Sequence, residues 1–241
     1  LSEPARERYF AALHTVYVTD MDAGVARYGA DFRSAEWLVR EHLYGAADHE
    51  CDHWHDDAGF LTHHVGVTLQ FEHALRAVDP TTCSHYWDYT VDALANASYA
   101  QSEIFSDDWF GAASPADARH VVATGRWAYT PVMRDAERKF SNITNAHGLL
   151  RSPWNTNPAP FLGRSATVIG VQNADYTLPD CEDFRSYVAA EAGGSVALAD
   201  VVSALNGVLH GPVHIMIGGH WGFNASIVDR VRTLMDDVGK D

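Results

Sequence analysis

Residues 60–75 read FLTHHVGVTLQFEHAL, from Phe60 to Leu75. Phe60, His64, Phe71 and Leu75 recur near the helical period, and Asp79-Pro80 follows a few residues later. Side chains three and four apart share one face of a helix, and proline has no N–H with which to continue it. The spacing therefore predicts a helix over 60–77, the firmest element in the chain. Its apolar stripe carries His64, with His63 beside it. An imidazole taken out of water needs a polar partner, and a metal ion would meet that need.

His64 has company. Of fourteen histidines, seven (His42, His49, His53, His55, His63, His64 and His73) fall in a window of about thirty residues. Three more, His210, His214 and His220, lie near the C-terminus. A lone histidine is more often a satisfied core or surface residue than a ligand. Clustering shifts that balance, because neutral imidazole is the commonest protein ligand for copper and zinc. His210 and His214 are four apart, so on a helix both face one way. Pro212 between them belongs in a first helical turn, so the local geometry is less regular than the spacing alone suggests. Two such helices packed face to face would surround a buried centre with imidazoles, as helix bundles do. Almost no cysteine or carboxylate stands at ligand spacing, and an all-imidazole site suits copper well and zinc less distinctively.

The rest of the chain sets bounds. With 46% hydrophobic residues in 241, it can bury a substantial core, and 1–241 reads as one domain. It starts at Leu1, with no signal-like segment, which suggests a processed chain or part of a longer one. No apolar run reaches the roughly 18–20 residues of a membrane span. A formal charge of −15 with no basic cluster opposes nucleic acid and anionic membranes. Cys51, Cys83 and Cys181 are too few for a disulfide scaffold, and their odd number leaves one thiol over; a Cys51–Cys83 bridge is one pairing among others. Sequons at Asn96, Asn142 and Asn224 tilt the location towards secretion as a glycoprotein. Helical spacing recurs over 3–17, 35–44, 181–191 and 197–219, with short helices expected over 116–122 and 132–140. RSPWNTNPAPFLGR, residues 151–164 with three prolines, reads as a loop lying over the surface. The whole is mainly α with long connections.

Two motifs now stand in order: HDDAGFLTHHVGVTLQFEHAL followed by YWDY, and far downstream LHGPVHIMIGG. Together they resemble the central domain of the type-3 copper proteins, the tyrosinases, catechol oxidases and molluscan hemocyanins. His55 and His64 have the family's H-x8-H spacing. Phe60-Leu61, Phe71-Glu72 and Tyr86-Trp87-Asp88 fall where its pattern wants them, and Leu209-His210, Val213-His214 and Gly218-Gly219 complete the second motif. The resemblance spans about Ala35 to Gly222. It implies a mainly helical fold with a four-helix-bundle core and long irregular loops. It also implies two copper ions: copper A held by His42, His55 and His64, copper B by His210 and His214. His53 competes with His55, because Cys51-Asp52-His53 echoes the C-x-H in which some members link cysteine to a ligand by a thioether; the spacing to His64 favours His55.

The pattern also breaks. Val65 stands for the family's arginine, Thr62 for its proline, and His63 for its tryptophan. Copper B wants a third histidine, yet only His220 follows His214. Three explanations stay open: sequence missing from this version of the chain, true loss of the ligand, or His220 as an unorthodox ligand. Gly211 occupies the position of an asparagine found in members that hydroxylate monophenols, and Val201 supplies no acidic partner. The resemblance thus implies oxidation of o-diphenols by O2, with a small phenolic substrate as partner. The rival expectation is a non-catalytic extracellular glycoprotein that has lost copper B, with assembly into larger complexes as a further expectation. An oxygen carrier would require a large repeated assembly. A hydrolase would want a carboxylate base that His210-Gly-Pro-Val-His214 does not supply.

Overall fold

The computed structural model describes residues 1–46, 52, 54–55, 59–95, 98–117, 119–132, 157–166, 177–188 and 196–219. They are mainly helical and fall into two compact units. The first comprises residues 1–88 and 181–209, the second 89–180 and 210–241.

Helix α1 (Glu3–Val18) begins after Ser2, with Pro4 in its first turn where the missing N–H costs nothing. It buries Tyr9, Phe10, Ala12 and Val16, and Thr19 returns to extended backbone and ends it. Helix α2 (Met21–Tyr28) follows at once, a short element that the periodicity of the sequence does not single out. Gly29 turns the chain at φ 95°, and the Arg33 guanidinium donates to the carbonyls of Ala30 and Phe32 at 2.6 and 2.7 Å. Helix α3 (Ala35–Ala46) starts where the Ser34 hydroxyl accepts from the Trp37 N–H at 3.2 Å.

Helix α4 (Gly59–Val78) covers the expected 60–77 and buries Phe60, Ala74 and Leu75. It stops at Asp79, whose carboxylate accepts from the N–H and hydroxyl of Thr81 at 2.8 and 2.6 Å. Beyond the turn, Ser84 ties back to α4 by donating its hydroxyl to Glu72 at 2.8 Å. Helices α1, α3 and α4 pack against one another pairwise. Phe10, Val16, Phe32, Leu38 and Leu75 are the buried side chains at their centre. At about 25 cal/mol per Å² of apolar area, each buried Phe or Leu contributes about 1.5–3 kcal/mol. The unit is completed by α6 (Cys181–Val188) packed on α7 (Leu198–Ala204) and by the π-helical turn that follows, Leu205–His210, whose last residue belongs to the second unit. Cys83 and Cys181 are exposed free thiols, and Cys51 lies outside the described residues.

The second unit opens with α5 (Tyr89–Leu94) and two single 3-10 turns, Tyr99–Gln101 and Glu103–Phe105. The described residues 106–132 and 157–166 that follow are irregular. Its core is Tyr99, Phe105, Val121, Val122, Trp127, Val213 and Met216, the last two from α8 (Gly211–Ile217). The helix expected over 116–122 does not form. The Asp117 carboxylate accepts from the Arg119 N–H at 2.8 Å, His120 takes a positive φ of 58°, and Val121 bridges to Gly163. Backbone pairing with 160–164 satisfies groups that a helix would have satisfied locally, for example Val122 N–H to the Leu162 carbonyl at 2.9 Å. Of the proline-rich 151–164, the described residues 157–164 are irregular, with Asn157 and Ala159 only 3% exposed while Pro158 and Pro160 between them stay at the surface. The helix expected over 132–140 lies, but for Val132, outside the described residues. Gly219, of the second motif, adopts φ 82°, and a Cβ there would stand 2.6 Å from the Gly163 carbonyl oxygen. Among the described residues no helix is long and apolar enough to cross a membrane.

Candidate metal centre

Three elements of the first unit converge on one point. His42 comes from α3, one turn before its end, His64 from the second turn of α4, and His55 from the segment between them. One ring nitrogen of each lies within 4.8 Å of the others, and all three residues are half-buried. The rings meet edge-on, with centroids 4.9 Å apart for His42–His55, 5.4 Å for His42–His64 and 5.5 Å for His55–His64. Among the described residues, no other group of three or more potential metal ligands converges in this way.

Hydrogen bonds decide which nitrogens are available. The His64 Nδ1 lies 2.7 Å from the Phe60 carbonyl, which can only accept, so Nδ1 carries the proton and Nε2 the lone pair. Burial pushes the His64 imidazole below the usual histidine range, more than the Phe60 carbonyl raises it, which keeps the ring neutral. The His55 Nδ1 lies 2.7 Å from Asp52 Oδ2, and Asp52 Oδ1 accepts from the backbone N–H groups of Trp54 and His55 at 2.8 and 2.9 Å. Partial burial raises the Asp52 carboxyl, but the His55 side-chain bond and the two backbone bonds outweigh it and hold the group below its ordinary value. The Asn206 amide donates to the His55 carbonyl at 2.8 Å.

Trp54 fills the space behind the histidines. Its ring stacks on His63 at 5.1 Å and leans on His42 at 5.0 Å and His64 at 5.7 Å. Gly45, on α3, admits it: a Cβ there would stand 1.6 Å from the indole. His63 itself is exposed and bonded to the Gly59 carbonyl at 2.9 Å, outside the triad. Three converging, half-buried imidazoles, with His55 backed by a carboxylate and His64 by a backbone carbonyl so that both present Nε2, are a donor set that suits copper or zinc.

In the second unit, His214 Nε2 lies 2.7 Å from His210 Nε2, the rings edge-on at 4.3 Å. Their spacing of four does bring both to one point. The irregularity expected at Pro212 takes the form of the wide π turn Leu205–His210, ahead of a helix with proline in its first turn. Such turns are frequent at functional sites. His53, His220 and the sequon residues Asn96, Asn142 and Asn224 lie outside the described residues.

Asp52, Trp54, Asn206 and Gly45 were not singled out by the sequence. Only Asp52 leaves a trace there, in its position three residues before a ligand-spaced histidine.

Comparison with known proteins agrees with this geometry. The model of the common central domain of tyrosinase matches residues 6–231. The chain belongs to the tyrosinase family. It is 40% identical over 202 residues to grixazone synthase of Streptomyces griseus subsp. griseus, an alignment covering 73% of this chain and 61% of that one. It is 30% identical over 123 residues to tyrosinase-like protein 2 of Margaritifera margaritifera, and 29% identical over 123 to a tyrosinase-like protein of Pinctada maxima; each alignment covers 48% of this chain and 23% of the relative. The chain thus spans less than two thirds of the relatives it matches. Tyrosinase-family membership makes it a type-3 copper protein and implies that copper is the metal for its histidines.

Proposed function

We propose that the chain is a type-3 dicopper oxidase that converts o-diphenols to o-quinones with O2 as oxidant. In this reading His42, His55 and His64 hold copper A, while His210 and His214 contribute to copper B. The observation that carries it is the convergence of three imidazole nitrogens within 4.8 Å from three separate segments. Bound copper supplies the redox chemistry, by which two diphenols give up four electrons and four protons to one O2, yielding two quinones and two waters.

The protein's own residues do the rest. Asp52 and the Phe60 carbonyl hold the Nδ1 protons of His55 and His64, so these rings present Nε2. A cleft of about 380 Å³ runs along α4 beside His64, lined by Leu61, Val65, Thr68 and Leu69 with Glu72 at one end. The groove is open to solvent, and its mostly apolar lining suits the face of a single aromatic ring. Gly211 brings no side chain next to His210 to help deprotonate a phenol, which favours diphenols over monophenols. Secretion, and glycosylation at Asn96, Asn142 and Asn224, belong to the same proposal.

The test is copper content per chain on natively purified protein, followed by catechol turnover. The proposal expects about two coppers and quinone formation. A second reading, a structural glycoprotein without copper B, is favoured by the lone His220 after His214. One copper or none, with no turnover and glycans on the sequons, would establish that reading instead.

Gly45→Ala offers a separate check. Alanine gains about 1 kcal/mol of helix propensity. The displaced indole costs about 1–3 kcal/mol and loosens the packing of His42. Stability should fall by a net of about 0–2 kcal/mol while copper affinity falls about tenfold, the lower end for changes behind a ligand. Unchanged affinity in a copper(I) competition titration would mean that Trp54 does not shape the site.

A further inference from the structure

The Asp52–His55 pair is not required by any motif of the family pattern, yet it is among the most completely determined contacts in the first unit. Asp52 uses both oxygens. Oδ1 takes two backbone N–H groups and closes a tight turn over Trp54 and His55, while Oδ2 faces the His55 ring at 2.7 Å. Both side chains are largely shielded, with 17% and 27% exposure. On the far side, Asn206 holds the His55 carbonyl, so backbone and ring are fixed independently.

We propose that Asp52 is a positioning residue that locks His55 as the Nδ1–H tautomer and aims its Nε2 lone pair at His42 and His64. A carboxylate can only accept, so the proton between Asp52 and His55 must sit on Nδ1. Neutral imidazole otherwise divides between two tautomers, and only one leaves Nε2 able to bind metal. A ligand of this kind is oriented, and made more basic, by the acceptor behind it. The consequence for copper rests on the proposed function; the tautomer does not.

Asparagine separates the turn from the lock. In Asp52→Asn the amide oxygen still accepts from Trp54 and His55, so the loop keeps its shape. The other arm becomes an NH2 group that can only donate. It will therefore pair with an unprotonated Nδ1 and drive the proton to Nε2, the wrong atom.

The experiment is a long-range proton–nitrogen correlation spectrum of metal-free, histidine-labelled protein, with copper(I) competition titrations on the wild-type chain, Asp52→Asn and Asp52→Ala. His55 should be Nδ1–H in the wild type and Nε2–H in Asp52→Asn, with unchanged circular dichroism. Copper affinity should fall by about 10–100-fold in Asp52→Asn. Asp52→Ala, which loses the turn as well, should fall at least as far. An Nε2–H tautomer in the wild type, or Asp52→Asn retaining both the wild-type tautomer and the wild-type affinity, would overturn the proposal. The two readings fail separately: a wild-type chain that takes up no copper sinks the copper assignment, while the tautomer spectrum still decides the role of Asp52.

Discussion

His64→Ala is expected to remove one copper per chain while leaving the helices in place. Structural zinc sites gain about 10–16 kcal/mol from about four ligands, so one imidazole of three carries on the order of 3 kcal/mol, over a hundredfold in affinity. The cost to the fold is much smaller. Helix α4 is held by Phe60, Ala74 and Leu75; of these only Phe60, its ring 4.5 Å from that of His64, touches this substitution, and alanine is the better helix former. The lost bond to the Phe60 carbonyl is worth about 1 kcal/mol. Elemental analysis beside circular dichroism reads both quantities. Full copper content in the variant would remove His64 from the ligand set. Unfolding of a chain that held no metal to begin with would remove the centre altogether. His210→Ala should act in the same way on the second cluster, so that each variant loses one equivalent and the double variant both.

Gly219→Ala is expected to cost the fold several kcal/mol, on the order of 2–5. At φ 82° a β-carbon adds about 1–2 kcal/mol. That carbon would also stand 2.6 Å from the Gly163 carbonyl oxygen, a backbone atom that cannot swing aside. Overpacking of this sort costs about 1–3 kcal/mol more. A total of about 2–5 kcal/mol should lower Tm by about 4–20 °C in a chain of this size. Gly66, on α4, is the control: a Cβ there meets nothing within 4 Å, so Gly66→Ala should stabilise by about 1 kcal/mol. If calorimetry finds both substitutions equally mild, the close approach of Gly219 to Gly163 does not hold in solution.

What could be read in advance follows from which forces are local. Helix α4 was legible because its periodicity, its terminating Asp79-Pro80 and its buried face agree. His55 and His64 were legible because a spacing survives whatever the loop between them does. Residues 116–122 were not, because pairing with 160–164 and a turn at Asp117 outcompete a helix, and nothing nearby in sequence announces the partner. Asp52 was hidden for a related reason. An aspartate in a loop is ordinary until the chain bends to bring both of its oxygens to bear on Trp54 and His55. Asn206 was further out of reach, since its contact with His55 joins residues 151 positions apart.

The indole of Trp54, wedged among His42, His63 and His64, gives the molecule a gauge of its own occupancy. Emission from Trp54, 5.0 Å from a ligand ring, should fall when a redox-active ion settles there, and the difference from Trp54→Phe separates its signal from that of the other six tryptophans. Loading and stripping of the first cluster can therefore be followed by fluorescence in real time, with Trp54→Phe as the dark reference, without any turnover at all.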